Sequence, residues 1–339
     1  MPETLPRQAF PIWDALSKTQ QAVLITHHKP DGDAIGALLG LHLFCRQMGL
    51  NTCPIVPSAC PDYLQWMPGT DLLLDAEAAP ERAAKALEDA DLLVCLDFSQ
   101  WARTHHMENQ LAHFHGNTVV IDHHLQPAGV FQLAYWDANA CATAQLVFEW
   151  IQECGKKETI NPSIAELLYT GILTDSGGFR FSSVTPATHQ ATASLIECGA
   201  RPQEVYEKLF NRNRPERLRF MGYCMAEKMV ILESFPGAYM AIAQQDVDRF
   251  QLQDGDTEGL VNQPLSIIGI QFSAVLREDT SEGLIKLSLR SKGAIPVNEL
   301  ADRFFEGGGH KNAAGGRIKM PLAEAETYFR KALQQFFNL

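Results

Sequence analysis

The sequence predicts an α/β protein: a doubly wound, mainly parallel sheet, followed through a helical connection by a smaller α/β domain. Apolar runs at residues 22–26, 91–96 and 118–121 have the near-continuous hydrophobicity of strands buried on both faces, and helical patterns alternate with them. Two of the runs lead directly into an aspartate and the first into a Pro/Gly loop rich in His and Asp, which sets polar groups at the carboxyl ends of the strands. From about residue 233 the pattern changes, with strands grouped beside two helices.

Residues 22–26 form the first strand, His27-His28-Lys29-Pro30-Asp31-Gly32-Asp33 its strand-to-helix loop, and the apolar-rich stretch 34–48 the first crossover helix. Helices over 81–90, 103–113 and 141–153 supply the other crossovers, because parallel neighbours need a connection that returns across the sheet. Asp175 arrives differently, after a helix over 164–174, in the turn Asp175-Ser176-Gly177-Gly178 that leads into Phe179-Arg180-Phe181. Thr185-Pro186 starts a helical stretch that runs to about residue 231, with breaks at Gly199 and Pro202. Strands 238–243, 272–277 and 284–290 and helices 297–304 and 322–337 complete the second domain. The expected division is 1–190, a helical linker over 191–231, and 232–339. Between the last of those strands and the last helix lies Gly307-Gly308-Gly309-His310-Lys311-Asn312-Ala313-Ala314-Gly315-Gly316, a run that no ordinary packing requirement explains. Consecutive glycines let main-chain N–H groups turn toward an anion.

Composition bounds the function. The 339 residues exceed the length at which one core stops growing, and 46% hydrophobic with 20% charged residues is ordinary for a globular enzyme. Residues 1–18 are too polar for a secretory signal and no apolar stretch is long enough to span a bilayer, so a cytoplasmic protein with no membrane partner is expected. A formal charge of −12 argues against holding a long nucleic-acid tract, whose non-specific affinity comes from many Lys and Arg contacts. Any nucleotide partner should be short. The eight cysteines include no Cys-x-x-Cys pair, and Cys45, Cys95, Cys141 and Cys224 have the apolar surroundings of buried thiols, so disulfides and a zinc knot are not expected. The glycine run is not a nucleotide-triphosphate loop of the Walker type, since Lys311 is not followed by Ser or Thr. A second histidine group, His105, His106, His113 and His115, lies among Glu108, Asn109 and Gln110 and reads as solvated surface.

The ordered series HHKPDGD, Asp97 after a strand, Asp122-His123-His124, Asp175 and the late GGGHKNAAGG resembles the motif series of the DHH phosphoesterase superfamily, over almost the whole chain. Within it, the length and the GGGH-type second domain are similar to the bacterial nanoRNA-degrading enzymes that also dephosphorylate 3′-phosphoadenosine 5′-phosphate. The resemblance implies that His27, Asp31 and Asp97 hold one Mn²⁺ and that Asp33, Asp97, His123 and Asp175 hold the other, with Asp97 bridging. His27 is preferred to His28 by the family spacing His-x-x-Pro-Asp. It further implies a catalytic His124 facing the scissile phosphate, with Asp122 orienting the imidazoles. Gly308, Gly309 and His310, with Arg290 and Ser291 and also Arg180, would hold the substrate.

Chemistry supports a paired-cation centre independently. Phosphate-ester hydrolysis demands a rate enhancement worth ~20 kcal/mol or more, whereas a positioned base gives only about 10²–10⁴-fold. Four aspartates, Asp31, Asp33, Asp97 and Asp175, bring four negative charges that would repel phosphate unless two divalent cations balanced them. Mixed oxygen and imidazole donors suit Mn²⁺, and zinc or cobalt can substitute. The implied reaction is hydrolysis of very short oligoribonucleotides and of 3′-phosphoadenosine 5′-phosphate. Cleavage of a cyclic or linear dinucleotide (c-di-AMP or pApA), pyrophosphate hydrolysis and non-catalytic nucleotide sensing remain the alternatives, and a homodimer is left open. Every ligand position is filled, which speaks against a degenerate sensor.

Overall fold

The computed structural model describes residues 7–124, 130–233, 235–253, 255–280 and 282–337. The chain divides into two compact units, Met1–Arg212 and Asn213–Leu339.

In the first unit the elements run α1 (Ala9–Lys18), β1 (Ala22–Ile25), α2 (Gly32–Gln47), β2 (Thr52–Val56), β3 (Leu74–Asp75), α3 (Pro80–Glu88), β4 (Leu92–Leu96), α4 (Glu108–Ala112), β5 (Asn117–Asp122), β6 (Leu133–Trp136), α5 (Thr143–Glu153), α6 (Pro162–Asp175), α7 (Pro186–Glu197) and α8 (Pro202–Phe210). The sheet order is β3-β2-β1-β4-β5-β6 and every pairing is parallel. β1 and β4 are neighbours that lead away in opposite directions, so the chain reverses its winding between them. A crevice opens at that point, outside the carboxyl ends of the strands. The loops after β1 and β4 and the end of β5 deliver His27–Asp33, Asp97 and Asp122–His124 there. The helix expected over 103–113 is instead a run of 3-10 turns over Trp101–Met107 followed by the short α4. His105, at φ 52° and ψ −113°, interrupts the helical path.

Close helix packing fixes the crevice walls. Gly32, Gly36 and Gly40 recur every four residues on α2, and all three face α6: a Cβ on Gly36 would lie 2.5 Å from the Leu167 carbonyl oxygen, and one on Gly32 would lie 2.5 Å from Thr174 Oγ1. The stripe lets α2 and α6 approach until the first turn of α2, with Asp33, adjoins the last turn of α6, with Asp175. Trp150, Phe44, Leu38 and Ile172 fill the core beneath, joined by Ala191, Leu195, Ala200 and Val205 from the region of α7 and α8.

The second unit runs α9 (Pro215–Tyr223), β7 (Met229–Ile231), β8 (Gly237–Ile242), α10 (Gln244–Arg249), β9 (Phe272–Asp279), β10 (Leu284–Ser291), α11 (Val297–Phe304), β11 (Gly308–His310), β12 (Ala313–Ile318) and α12 (Leu322–Phe337). Its sheet has the order β11-β12-β10-β9-β8-β7, with β8 and β9 parallel and the other pairs antiparallel. Alternation splits the strands between two cores. Phe272, Leu276 and Leu289 pack with Phe305 and Phe329, whereas Met240 and Val275 pack with Phe220 and Leu260.

The glycine run corrects the sequence reading. It is a β11–β12 hairpin, in the register Gly308 opposite Gly315 and His310 opposite Ala313. Packing does demand its glycines: a Cβ on Gly307 would lie 2.0 Å from the Gly315 carbonyl oxygen and one on Gly316 2.7 Å from that of Phe305, while Gly309 sits at φ 140°. All eight cysteines are free. Among the described residues no helix is long and apolar enough to cross a membrane.

Candidate metal centre

Asp31 caps α2: its Oδ1 accepts from the N–H groups of Asp33 and Ala34 at 3.0 and 3.1 Å, which leaves Oδ2 free. Asp33 lies in the first helical turn, buried, and is held from across the crevice by α5. The N–H groups of Thr143 and Ala144 donate to its Oδ2 and Oδ1 at 2.6 and 2.8 Å, so the amino end of one helix grips the carboxylate on another.

Asp97 follows β4 at φ 65°, a conformation that costs an L-residue energy and persists only where surroundings enforce it. Its N–H donates to the Ile121 carbonyl at 3.1 Å and its Oδ1 accepts from Thr143 Oγ1 at 2.8 Å. The two imidazoles flank it. His27 Nε2 lies 3.4 Å from Asp97 Oδ2 and His123 Nε2 lies 3.5 Å from Asp97 Oδ1, while His123 Nε2 is also 3.4 Å from Asp175 Oδ2.

Main-chain carbonyls orient both rings. His27 Nδ1 donates to the His28 carbonyl at 3.0 Å and His123 Nδ1 to that of Ala140 at 3.2 Å. A carbonyl only accepts, so in the neutral tautomer Nδ1 carries the proton and the Nε2 lone pair faces the crevice. His124 differs, since its Nδ1 donates to Asp122 Oδ1 at 2.7 Å and its Nε2 is left for another partner. Asp122 is fully buried and its second oxygen has no hydrogen-bond partner.

The carboxylates are unevenly charged. Burial works against ionised Asp97, but hydrogen bonds and charge from His123 and His27 outweigh it and hold the carboxyl below the usual range. Burial also opposes charge on His123, yet Asp97, Asp33 and Asp175 push it up to about 10. Asp33 is driven the other way, well above its ordinary value, by burial and then by the charges of Asp97 and Asp175. Burial lifts Asp175 to about 6 against the pull of His123, helped by Asp97 and Asp31. The Thr143 and Ala144 N–H groups favour the Asp33 anion, and a cation among these oxygens would tip the balance to ionisation.

Three overlapping groups, His27 with Asp31 and Asp97, Asp33 with His123 and Asp175, and Asp97 with His123 and His124, each keep their candidate ligand atoms within 4.8 Å of one another. Hard carboxylate oxygens with imidazole nitrogens fit a divalent cation. Asp97 is shared by the first group and the third, and His123 by the second and third.

Arg180 is exposed and folds back, its Nε donating to the Gly177 carbonyl at 2.7 Å. In the second unit Arg290 is opposite Ala313, which is opposite His310, so the Arg290 and His310 side chains share one sheet face. Arg290 Nη1 donates to the Leu289 carbonyl at 3.0 Å, and burial lowers its pKa. Ser291 Oγ donates to the Ile295 carbonyl at 2.7 Å and accepts from Asn312 Nδ2 at 2.8 Å, so Asn312 braces the turn after β10. Gly308, Gly309 and His310 are exposed. Sequence reasoning missed Thr143, Ala144 and Ala140, which act through main-chain groups and one hydroxyl. The Thr at the start of the helix expected over 141–153 was the one available signal.

A family model described as "DHH family, N-terminal domain" matches residues 22–172, and one described as "DHHA1 domain" matches 237–339. The bifunctional oligoribonuclease and PAP phosphatase NrnA of Thermus thermophilus is 31% identical over 298 residues, 87% of this chain and 83% of that protein. The cyclic-di-AMP phosphodiesterase GdpP of Geobacillus thermodenitrificans is 24% identical over 96% of this chain and 49% of its own length. Among solved structures, an exopolyphosphatase-related protein from Bacteroides fragilis superposes with a TM-score of 0.93 at 35% identity, covering 99% of this chain and 98% of that one.

Proposed function

Because the chain belongs to the DHH family of phosphoesterases and carries its DHHA1 companion domain, we propose that it is a divalent-metal-dependent enzyme that hydrolyses very short oligoribonucleotides and 3′-phosphoadenosine 5′-phosphate. The observation that carries this reading is the convergence of His27, Asp31, Asp33, Asp97, His123 and Asp175 in overlapping ligand groups, with His124 beside them. In this reading His27, Asp31 and Asp97 would hold one Mn²⁺ and Asp33, Asp97, His123 and Asp175 would hold the other. The chemistry such a pair supplies when bound is a water of lowered pKa and neutralised phosphoryl charge.

The chain's own residues do the rest. His27 and His123 present Nε2 because the His28 and Ala140 carbonyls hold their Nδ1 protons. His124, bonded through Nδ1 to Asp122, presents Nε2 to the scissile phosphate and, when protonated, donates to the leaving oxygen. Asp122 is itself buried and fixes the direction of the ring through that bond, as an orienting carboxylate does in other catalytic pairs. The first unit houses this centre, and the second grips the substrate through Arg290, Ser291, Gly308, Gly309 and His310, with Arg180 as a further cationic contact. A small substrate suits a net charge of −12, and a cytoplasmic setting belongs to the same reading.

A second reading, cleavage of cyclic or linear dinucleotides, is favoured by the similarity to a cyclic-di-AMP phosphodiesterase across 96% of this chain. A time course with Mn²⁺ on short RNA longer than a dinucleotide, 3′-phosphoadenosine 5′-phosphate, cyclic di-AMP and pyrophosphate separates the readings. Fastest turnover of the first two supports the proposal, preference for cyclic di-AMP selects the second reading, and preference for pyrophosphate overturns both.

A further inference from the structure

The histidine group that reads as solvated surface in the sequence contains one member with a specific place in the fold. The His105 ring stacks on that of His28, with centroids 4.0 Å apart and planes 20° from parallel. His105 holds this position at φ 52° and ψ −113°, a backbone conformation that L-residues rarely adopt and that neighbouring structure must impose. The same 3-10 segment reaches the loop a second time, since the His28 N–H donates to the Arg103 carbonyl at 2.8 Å. The His28 ring also meets Glu77, with Nε2 and Oε1 3.4 Å apart, and the next residue, Lys29, at φ 53°, donates its N–H to Ser58 Oγ at 2.7 Å. His28 is thus clamped by its ring and its main chain together. Its carbonyl is the group that accepts from His27 Nδ1.

We propose that His105 is a positioning residue for the loop of the metal centre: by stacking on His28 it fixes the carbonyl that sets the tautomer and direction of His27. The step from His27 to a bound cation rests on the proposed function, whereas the orientation of His27 by the His105–His28 stack does not. A ring at position 105 explains why a strained backbone is kept there, because glycine would take the same φ without strain but offers no face to stack.

The test compares His105→Gly, which removes the ring and relieves the backbone, with His105→Phe, which keeps an aromatic face. The primary readout is ¹⁵N NMR of the His27 ring in metal-free protein, at an alkaline pH where the ring is neutral. Unmodified protein and His105→Phe should show one dominant tautomer with the proton on Nδ1, whereas His105→Gly should show a mixture, with its thermal midpoint unchanged or raised. In parallel, competition against a fluorescent chelator should show Mn²⁺ binding weakened about tenfold in His105→Gly and within about twofold of unmodified protein in His105→Phe. A single Nδ1–H tautomer in His105→Gly overturns the positioning role, whatever its Mn²⁺ affinity. If the tautomer changes but His27→Ala binds Mn²⁺ like unmodified protein, the positioning role stands and the assignment of His27 as a ligand falls.

Discussion

Thr143 Oγ1 donates to Asp97 Oδ1 at 2.8 Å while the N–H of the same residue donates to Asp33 Oδ2 at 2.6 Å, so one threonine at the head of α5 holds two carboxylates of the centre. Thr143→Val keeps the main-chain bond and deletes the other. A hydrogen bond to a charged group contributes ~1.5–3 kcal/mol, so turnover should fall about tenfold or more with the fold intact. Steady-state kinetics with Mn²⁺ and a circular dichroism spectrum check it, and unmodified kinetics would show that Asp97 does not depend on the hydroxyl.

The pH dependence of stability follows from the signs of the shifts. Asp175 is raised from 3.8 to about 6 and Asp33 is also raised, so the metal-free folded protein retains protons that the unfolded chain releases. The Asp175 contribution is fully present below about pH 4 and is lost as pH climbs through about 6, and that of Asp33 has the same sign. His123, raised from 6.5 to about 10, contributes stability that is complete below 6.5 and lost as pH rises through about 10. Cation binding expels these protons, so the rise in thermal midpoint on adding Mn²⁺ should grow from about pH 5 to about pH 8. A pH-independent rise would contradict the account.

Helix packing yields a mutational prediction remote from any ligand. Gly36→Ala would place a Cβ 2.5 Å from the Leu167 carbonyl oxygen, which forces α2 away from α6. Overpacking of this kind costs ~1–3 kcal/mol, and here it also moves Asp33 relative to Asp175. Both the midpoint and the activity should drop. Gly222→Ala on α9, where a Cβ would meet nothing within 4 Å, is the control and should stabilise by ~0.5–1 kcal/mol.

Much of this fold and most of this centre are legible in the sequence, for reasons that differ by residue. Runs such as Leu92–Leu96 are continuous and apolar because β4 is buried on both faces, and the aspartate that follows marks the crevice. β2 is harder to see, since Pro54 and Cys53 interrupt its pattern, and β3 has two residues only. The grip of α5 on Asp33 leaves no signature because main-chain N–H groups make it. The Gly32, Gly36, Gly40 spacing on α2 goes unread in the sequence and emerges only from the packing against α6, whereas the later glycine run reads as a ligand loop although its hairpin needs the glycines to pack. Position 105 shows the opposite limit: nothing in a polar neighbourhood announces a ring stacked on His28.

His310→Ala tests the second unit. His310 is exposed and shares a sheet face with Arg290, so removing it should leave stability unchanged and raise KM for 3′-phosphoadenosine 5′-phosphate several-fold more than it lowers kcat. An equal fall in kcat with KM unchanged would place His310 in the chemistry instead of in capture.

The most direct measurement is anomalous scattering from crystals grown with Mn²⁺. A paired-cation centre predicts two peaks, one against His27 and Asp31, the other against Asp33, His123 and Asp175, with Asp97 reaching both. A single peak, or peaks that leave Asp97 without a cation, would contradict it.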